Sequence, residues 1–381
     1  MKTLPSIAVA AAALLAGCAT APPKLLPRTG DPLVDGKTYI AQGPPRDRVL
    51  WQYRTATVAM RRGLYDEAKP LLDDALLTIG NIFGKNRDAR KSRSYFVEES
   101  RKNFIGEPYE RVMAYYYRGI LYWMDGEPDN ARACFRSAQL QDSDTDSKSY
   151  ANDYVLLEYL DGLASVKLAG DGSDAFERAQ SLSKLEAPPP YDAQANVLFF
   201  TECGNGPRKY ASGQYREQLR FREGAPGAHV VVIKVAGQTL RARAYDDLYF
   251  QATTRGGRVM DHVLANKAVF KKGTDTLGDA AIISGAILTQ NRETDEIGLG
   301  VLAAGLFSKI VAASTTPAAD TRDWDNLPRY LSFSTLCLPP GAHTAQVEFL
   351  DHGGRLIQSK TISFEVTSTN KDTVVFISDK K

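Results

Sequence analysis

The spacing of apolar residues changes once along this chain, and that change restricts the fold more than any other feature of the sequence. Residues 47–186 carry apolar side chains at helical spacing and few prolines, whereas residues 187–190 read Ala-Pro-Pro-Pro. Beyond the prolines, β-branched and aromatic residues come in short stretches between turn-forming residues. Helices followed by strands are typical of an α+β fold in which the two are segregated. We therefore predict a helical domain over residues 47–186 and a β-rich domain over residues 187–381.

The β-rich half contains a series of stretches that are typical of strands, and glycine or proline turns separate them. Pro340-Gly341 suits a type II turn because glycine accepts a positive φ. The last stretches resemble the closing hairpins of a small immunoglobulin-like domain, so we expect a β-sandwich-like architecture. The predicted strands are residues 196–202, 217–221, 229–235, 240–244, 330–336, 344–350, 356–366 and 373–378.

Residues 252–314 interrupt the strands with a helical pattern. Two stretches, 277–288 and 297–308, are uncharged or nearly so and rich in glycine and alanine, and a polar turn lies between them. Each is shorter than the roughly 20 residues that a membrane-spanning helix needs. We predict an antiparallel helical hairpin inserted in the β-rich domain; a membrane-dipping or partner-binding hairpin is the alternative.

The N-terminus has the features of a secretory signal. Lys2 precedes an apolar run over residues 7–16, and Leu15-Ala16-Gly17-Cys18 resembles the lipobox of bacterial lipoproteins. The resemblance implies that residues 1–17 are a signal peptide and that Cys18 carries acyl chains such as palmitate, which together anchor the protein stably. Ala19 stands where an aspartate would retain a lipoprotein at the inner membrane, so we expect the outer membrane, with the protein facing the periplasm.

The stretch that follows Cys18 is rich in proline. Residues 19–46 include six prolines and little periodicity. Proline-rich chains are extended spacers. We predict that residues 18–46 are the lipidated cysteine and an extended tether.

The helical half contains a segment, residues 109–142, that resembles a tetratricopeptide repeat. Gly119 and Gly126 match the repeat's close-packing and turn glycines, and residues 51–80 give a second, partial match. Stacked repeats leave a curved surface. In this repeat the side chains that would line its concave face, as candidates for partner binding, are Met113, Tyr116, Ile120 and Trp123. The same stripe would also suit a covered core.

The sequence contains few residues in patterns typical of nucleic-acid binding, metal binding or catalysis. Lys and Arg number 47 against 45 Asp and Glu, so the basic excess of a nucleic-acid binder is absent. The four histidines and four cysteines show no metal-ligand spacing, and no nucleophile, phosphate or dinucleotide motif occurs. We therefore predict no metal, no cofactor and no catalytic residues. The glycine-rich, basic residues 204–209 are predicted to form a turn. An oxidising envelope would allow a disulfide between Cys203 and Cys337 if their strands are neighbours.

Three segments resemble a family of proteobacterial outer-membrane lipoproteins. They are EPYERVMAYYYRGILYWMDGEPDNARACFRSAQLQD (107–142), GNGPRK (204–209) and DTRDWDNLPRYLSFSTLCLPPGAH (320–343). The resemblance implies tetratricopeptide-like repeats and an outer-membrane location. That family has no established biochemical activity and has been noted near lipoproteins that activate peptidoglycan synthases.

These observations favour a non-enzymatic, periplasm-facing lipoprotein that acts as a protein–protein interaction adaptor in envelope or cell-wall assembly. Its expected partners are an envelope protein and, through the lipid, the membrane. One alternative is a structural lipoprotein that binds peptidoglycan or oligomerises through the apolar hairpin. Another is an envelope enzyme acting on glycan or peptide.

Overall fold

The computed structural model describes residues 26–84, 102–143, 150–242, 244–254 and 319–381. Helices occupy the first half of these residues, and strands with one short helix occupy the second, which confirms the α+β class. Within the described residues the helices are α1 (Pro32–Gln42), α2 (Arg48–Arg61), α3 (Tyr65–Gly84), α4 (Pro108–Met124), α5 (Pro128–Asp142), α6 (Val155–Lys167), α7 (Ser173–Leu182) and the short α8 (Leu248–Thr253).

The helices pack in consecutive pairs: α2 with α3, α4 with α5, and α6 with α7. The α4–α5 pair is tight because Gly119 has no side chain. A Cβ added there would lie 2.5 Å from the Phe135 ring of α5, so the predicted close-packing role of this glycine is confirmed.

Helix α1 corrects the predicted tether, since residues 32–42 are folded rather than extended. Asp31 caps the helix by accepting from the backbone N–H of Leu33 at 2.8 Å, and Pro32 occupies the first turn, where a missing N–H costs nothing. Gly36 lies against Thr55 of α2. The proline content indicated a spacer, but the Asp-Pro pair is a helix-start signal.

Ten strands are present in the described residues, and all eight predicted stretches overlap one of them. The predictions missed β2 and the two-residue β6. The strands are β1 (Val197–Cys203), β2 (Arg208–Ser212), β3 (Gln218–Arg222), β4 (Val230–Val235), β5 (Gln238–Ala242), β6 (Asp246–Asp247), β7 (Tyr330–Leu336), β8 (Gly341–Leu350), β9 (Leu356–Val366) and β10 (Thr373–Ser378).

Two four-stranded sheets form. We call the sheet ordered β10-β1-β7-β6 the inner sheet and the sheet ordered β5-β4-β8-β9 the outer sheet. Strands β2 and β3 pair separately as a hairpin. In the inner sheet β1 runs parallel to β10 and antiparallel to β7, whereas the outer sheet is antiparallel throughout.

The inner sheet lies between the helices and the outer sheet. All seven residues of β1 are buried. Leu198 and Phe200 share a core with the helices, whereas Val197 and Phe199 share a second core with the outer sheet. A strand covered on both faces has no polar side, which is why β1 reads Val-Leu-Phe-Phe. The molecule is thus built in three layers.

Several sequence predictions fall elsewhere in the chain. The signal peptide, Cys18 and most of the predicted insert at 252–314 lie outside the described residues; only residues 252–254 of the insert are included, and α8 ends there. Among the helices of the described ranges, none combines the length and the apolar character needed to cross a bilayer.

Candidate functional site

The three segments that carry the family resemblance meet in space. The start of α4 (residues 107–111), the turn into β2 (residues 204–209) and residues 320–327, which we call the strap, contact one another between the helices and the sheets. We call this meeting point the junction. Each segment is recognisable in the sequence, but no sequence pattern predicts their contact.

Glu110 is the centre of the junction. It is the third residue of α4, and its Oε2 accepts from the backbone N–H of Glu107 at 2.6 Å, completing a capping box. Its Oε1 accepts from the backbone N–H of Trp324 in the strap at 2.8 Å. One carboxylate therefore both starts the helix and fixes the strap.

Lys209 neutralises that carboxylate. Its ammonium lies 2.5 Å from Oε2 of Glu110, and the two side chains are 1% and 0% exposed. The same ammonium donates to the carbonyl of Arg322 at 2.9 Å. Desolvating two charges costs energy, so a pair like this adds little stability by itself, but losing one partner leaves a buried charge uncompensated.

Trp324 is the apolar anchor of the strap. Its ring stacks on Tyr53 of α2 with centroids 4.3 Å apart, and Tyr117 of α4 lies 6.0 Å away. Asn326 donates to the backbone carbonyl of Arg54, and the Arg54 side chain pairs with Asp325 at 2.9 Å. The strap is therefore fixed to two helices.

Gly206 brings the β2 turn against the strap. Its N–H donates to the carbonyl of Leu327 at 3.1 Å. A Cβ at this position would lie 2.8 Å from the carbonyl oxygens of Leu327 and Pro328. The glycine in the predicted turn is thus required by a close approach of two backbones.

Asp323 is a mostly buried carboxyl of the junction, with its side chain 12% exposed. Burial, followed by the nearby negative charge of Glu110, raises the pKa of Asp323 to about 6. Arg208 lies 3.7 Å from its carboxylate and 3.8 Å from that of Asp325, and Tyr109 donates to it at 3.5 Å. This carboxyl can therefore change charge in mildly acidic solution.

Two further buried contacts join the helices to the inner sheet. Glu202 of β1 accepts from Arg61 at 2.7 Å and from the Tyr117 hydroxyl at 2.5 Å. Asp246 of β6 accepts from the first backbone N–H groups of α6, those of Val155 and Leu156, both at 2.9 Å. Burial raises the pKa of Asp246 to about 7.

The predicted partner-binding stripe is part of the core. Met113, Tyr116, Ile120 and Trp123 are each at most 1% exposed. Tyr116 and Trp123 contact Phe200 of the inner sheet, and the Trp123 indole N–H donates to Asp372 at 2.9 Å. The prediction that these residues line an open groove is wrong, because the protein's own sheet covers them.

The disulfide that the sequence allowed between Cys203 and Cys337 does not form, although their strands are neighbours. Cys203 is buried, Cys337 is exposed and both are free. The antiparallel register places Cys203 opposite Tyr330, whereas Cys337 follows Leu336 at the other end of β7. Six residues of strand separate those ends by about 20 Å, far beyond the roughly 7 Å that a disulfide allows.

Strand β9 is an edge of the outer sheet. It is 11 residues long, and within the described ranges only β8 pairs with it. Its outward-facing side chains from Ile357 to Glu365 are exposed, and Glu365 is the one charged residue among them. Leu356 and Ile357 are about half exposed, at 53% and 48%.

Two histidines of the described residues lie against each other. His229 and His352 stack with ring centroids 3.9 Å apart, beside Tyr330. Burial and the neighbouring His352 lower the pKa of His229. No group of three or more His, Cys, Asp or Glu side chains placed to hold a metal ion occurs in the part of the chain that the structure covers.

Comparison with models of protein families, with curated protein sequences and with solved structures finds no match to this chain.

Proposed function

We propose that the protein is a lipid-anchored adaptor of the bacterial envelope, held at the outer membrane by acyl chains on Cys18 and facing the periplasm. It binds an envelope protein partner through the edge of β9, which pairs only with β8 among the described strands. The lipobox and the family resemblance support the location, and the β9 edge supports the binding mode.

The finer architecture is part of the same proposal. We infer that the helix pairs are of the tetratricopeptide type, supported by the close packing of Gly119 on Phe135. The two sheets, which share one core, would form a β-sandwich. In this arrangement the sheet occupies the surface that such repeats commonly offer to a partner.

The length and chemistry of β9 carry the functional proposal. Exposed sheet edges are usually protected by short strands, prolines, bulges or charged residues. β9 has neither a proline nor a run of charges, and its bulge lies near its start, between Leu356 and Gln358. Lys360 is turned towards the carbonyls of Ser378 and Lys380. An edge left in this state suits an extended segment of a partner, which adds a strand through main-chain hydrogen bonds.

Photo-crosslinking in intact cells tests this binding mode. A photo-reactive residue placed at Ser359, Thr361 or Ser363 would face a strand added to β9, about 5 Å away. We expect one envelope protein to be captured, with crosslinks that move by two residues along one partner segment as the probe moves by two. Crosslinks without that register would contradict strand addition.

A matched pair of lysine variants separates the edge from the sheet face. Thr361 and Ser363 of β9 lie directly opposite Gln346 and Thr344 of β8, and all four are exposed on the same face. T361K/S363K adds charge beside the edge, whereas T344K/Q346K adds it one strand farther in, about 10 Å from an added strand. Only the first pair should abolish capture. Loss of capture in both, or in neither, would refute the edge as the binding site.

A further inference from the structure

We propose that the face of the protein formed by Tyr39 and Trp51 lies against the lipid headgroups of the anchoring membrane. The inference depends on the lipid anchor of the proposed function and adds an orientation to it. Its occupant is a lipid surface, and three observations carry it: where the chain joins the fold, how short the remaining tether is, and which side chains lie there.

The chain joins the fold beside Tyr39. Leu26 is already buried, at 7% exposure, and Asp35 of α1 accepts from the backbone N–H groups of Thr29 and Gly30 at 2.7 and 3.2 Å. The neighbouring Tyr39 side chain raises the pKa of Arg28. The ordered fold therefore begins about 20 residues earlier than the tether prediction placed it.

This early start leaves a short tether. Only eight residue steps separate Cys18 from Leu26. At 3.3–3.6 Å per residue, even a fully extended chain spans at most about 29 Å. The point where the chain joins the fold is confined to that distance from the acyl chains, so a weak affinity for lipid is enough to hold this face at the surface.

The side chains at that point suit a headgroup region. Tyr39 and Trp51 stack with centroids 4.1 Å apart and nearly parallel rings, and both are partly exposed. The Arg54 guanidinium lies 5.0 Å from the Trp51 ring, and Arg28 and Arg46 are exposed nearby in sequence. Tryptophan and tyrosine are enriched at membrane–water interfaces, where one side of the ring is apolar and the other wet.

Tryptophan fluorescence can test this orientation in the full-length lipidated protein. Of the three tryptophans, Trp123 and Trp324 are each 1% exposed, so Trp51 alone can approach lipid. The protein is reconstituted in vesicles of phosphatidylethanolamine and phosphatidylglycerol, with or without brominated acyl chains as quenchers. We expect brominated lipid to remove the Trp51 share of the emission and to leave W51F unquenched.

Two controls make each outcome decisive. In a W51F background, L356W places a tryptophan in the outer sheet, and its emission should survive brominated lipid. Equal quenching of Trp51 and of this variant, or no quenching of Trp51 on an acylated protein, would overturn the orientation and leave the anchor standing. A mass spectrum of the N-terminal peptide without acyl chains would overturn both the anchor and the orientation.

Discussion

Replacing Lys209 with methionine should destabilise the whole molecule, because this side chain neutralises a buried carboxylate between the helices and the β-rich half. Methionine keeps much of the length and the apolar stem of lysine but removes its charge. The Glu110 carboxylate would remain buried, at 0% exposure, without its cation.

The expected size of the effect follows from the contacts that remain. Breaking a buried pair by removing one partner costs about 3–5 kcal/mol. Glu110 keeps its two backbone donors, the N–H groups of Glu107 and Trp324. These amides still stabilise the charge. We therefore expect K209M to lower the free energy of unfolding by about 3 kcal/mol, near the lower end of that range.

Urea unfolding, followed by circular dichroism and by tryptophan fluorescence, measures this loss. Trp324 of the strap and Trp123 of α4 both lie in the core that joins helices and sheet, so the two probes should report one transition. The matched control is K234M, which breaks the Lys234–Glu348 pair at 2.6 Å on the outer sheet, where the side chains are 48% and 31% exposed. A surface pair contributes about 0–1 kcal/mol, so the control should unfold nearly as the parent does.

The double variant E110Q/K209M tests the physical cause. If the cost of K209M comes from an uncompensated charge, then removing that charge as well should recover about 2 kcal/mol relative to the sum of the single variants. Strict additivity, or a K209M midpoint equal to that of K234M, would refute the view that this ion pair holds the layers together.

Three further predictions concern the same contacts. G206A should lower the free energy of unfolding by about 2 kcal/mol, because its Cβ would lie 2.8 Å from two carbonyl oxygens. An unchanged urea midpoint would contradict this. Burial raises the folded-state pKa of Asp246 to about 7, against about 3.9 when unfolded; the folded state then holds a proton that the unfolded state has lost, so stability falls as pH rises from about 4 to 7. D246N should reduce that slope by up to about 1.4 kcal/mol per pH unit, measured by urea unfolding at pH 5 and pH 7, and equal slopes would sink the assignment. Under native conditions a thiol reagent should modify Cys337 readily and Cys203 only after unfolding, and native protection of Cys337 would contradict its being free and exposed.

The strands could be predicted well because their signals are local. β9 and β10 begin and end at the predicted residues, since turn-forming residues flank alternating or fully apolar stretches. β2 was missed because it reads Arg-Lys-Tyr-Ala-Ser, without a clear apolar face. Its one fully buried side chain is Lys209, which is buried by an ion pair with a residue 99 positions away. No local sequence pattern predicts an ion pair with a residue so far along the chain.

The prediction that the partner-binding stripe of α4 lines an open groove was wrong for a different reason. Tyr116 and Trp123 lie on one helical face, and helical spacing predicts that this face is covered without saying by what. A partner's peptide and the protein's own sheet would both pack on the same apolar side chains. Only the long-range contact with Phe200 of β1 decides between them, and that contact is not written in the spacing of either segment.

The inner sheet covers one face of the helices, and this limits where a partner can bind. The inner surface of the helices is buried against the inner sheet. The inner sheet is itself buried on both faces, by the helices on one side and by the outer sheet on the other. What these layers leave is the outer surface of the helices, the outer face of the outer sheet and the sheet edges. If Tyr39 and Trp51 hold the helical layer at the membrane, the outer sheet and its β9 edge face the periplasm. The proposed tether and the proposed binding edge would then be parts of one arrangement, with lipid at the helical layer and the partner at the outer sheet.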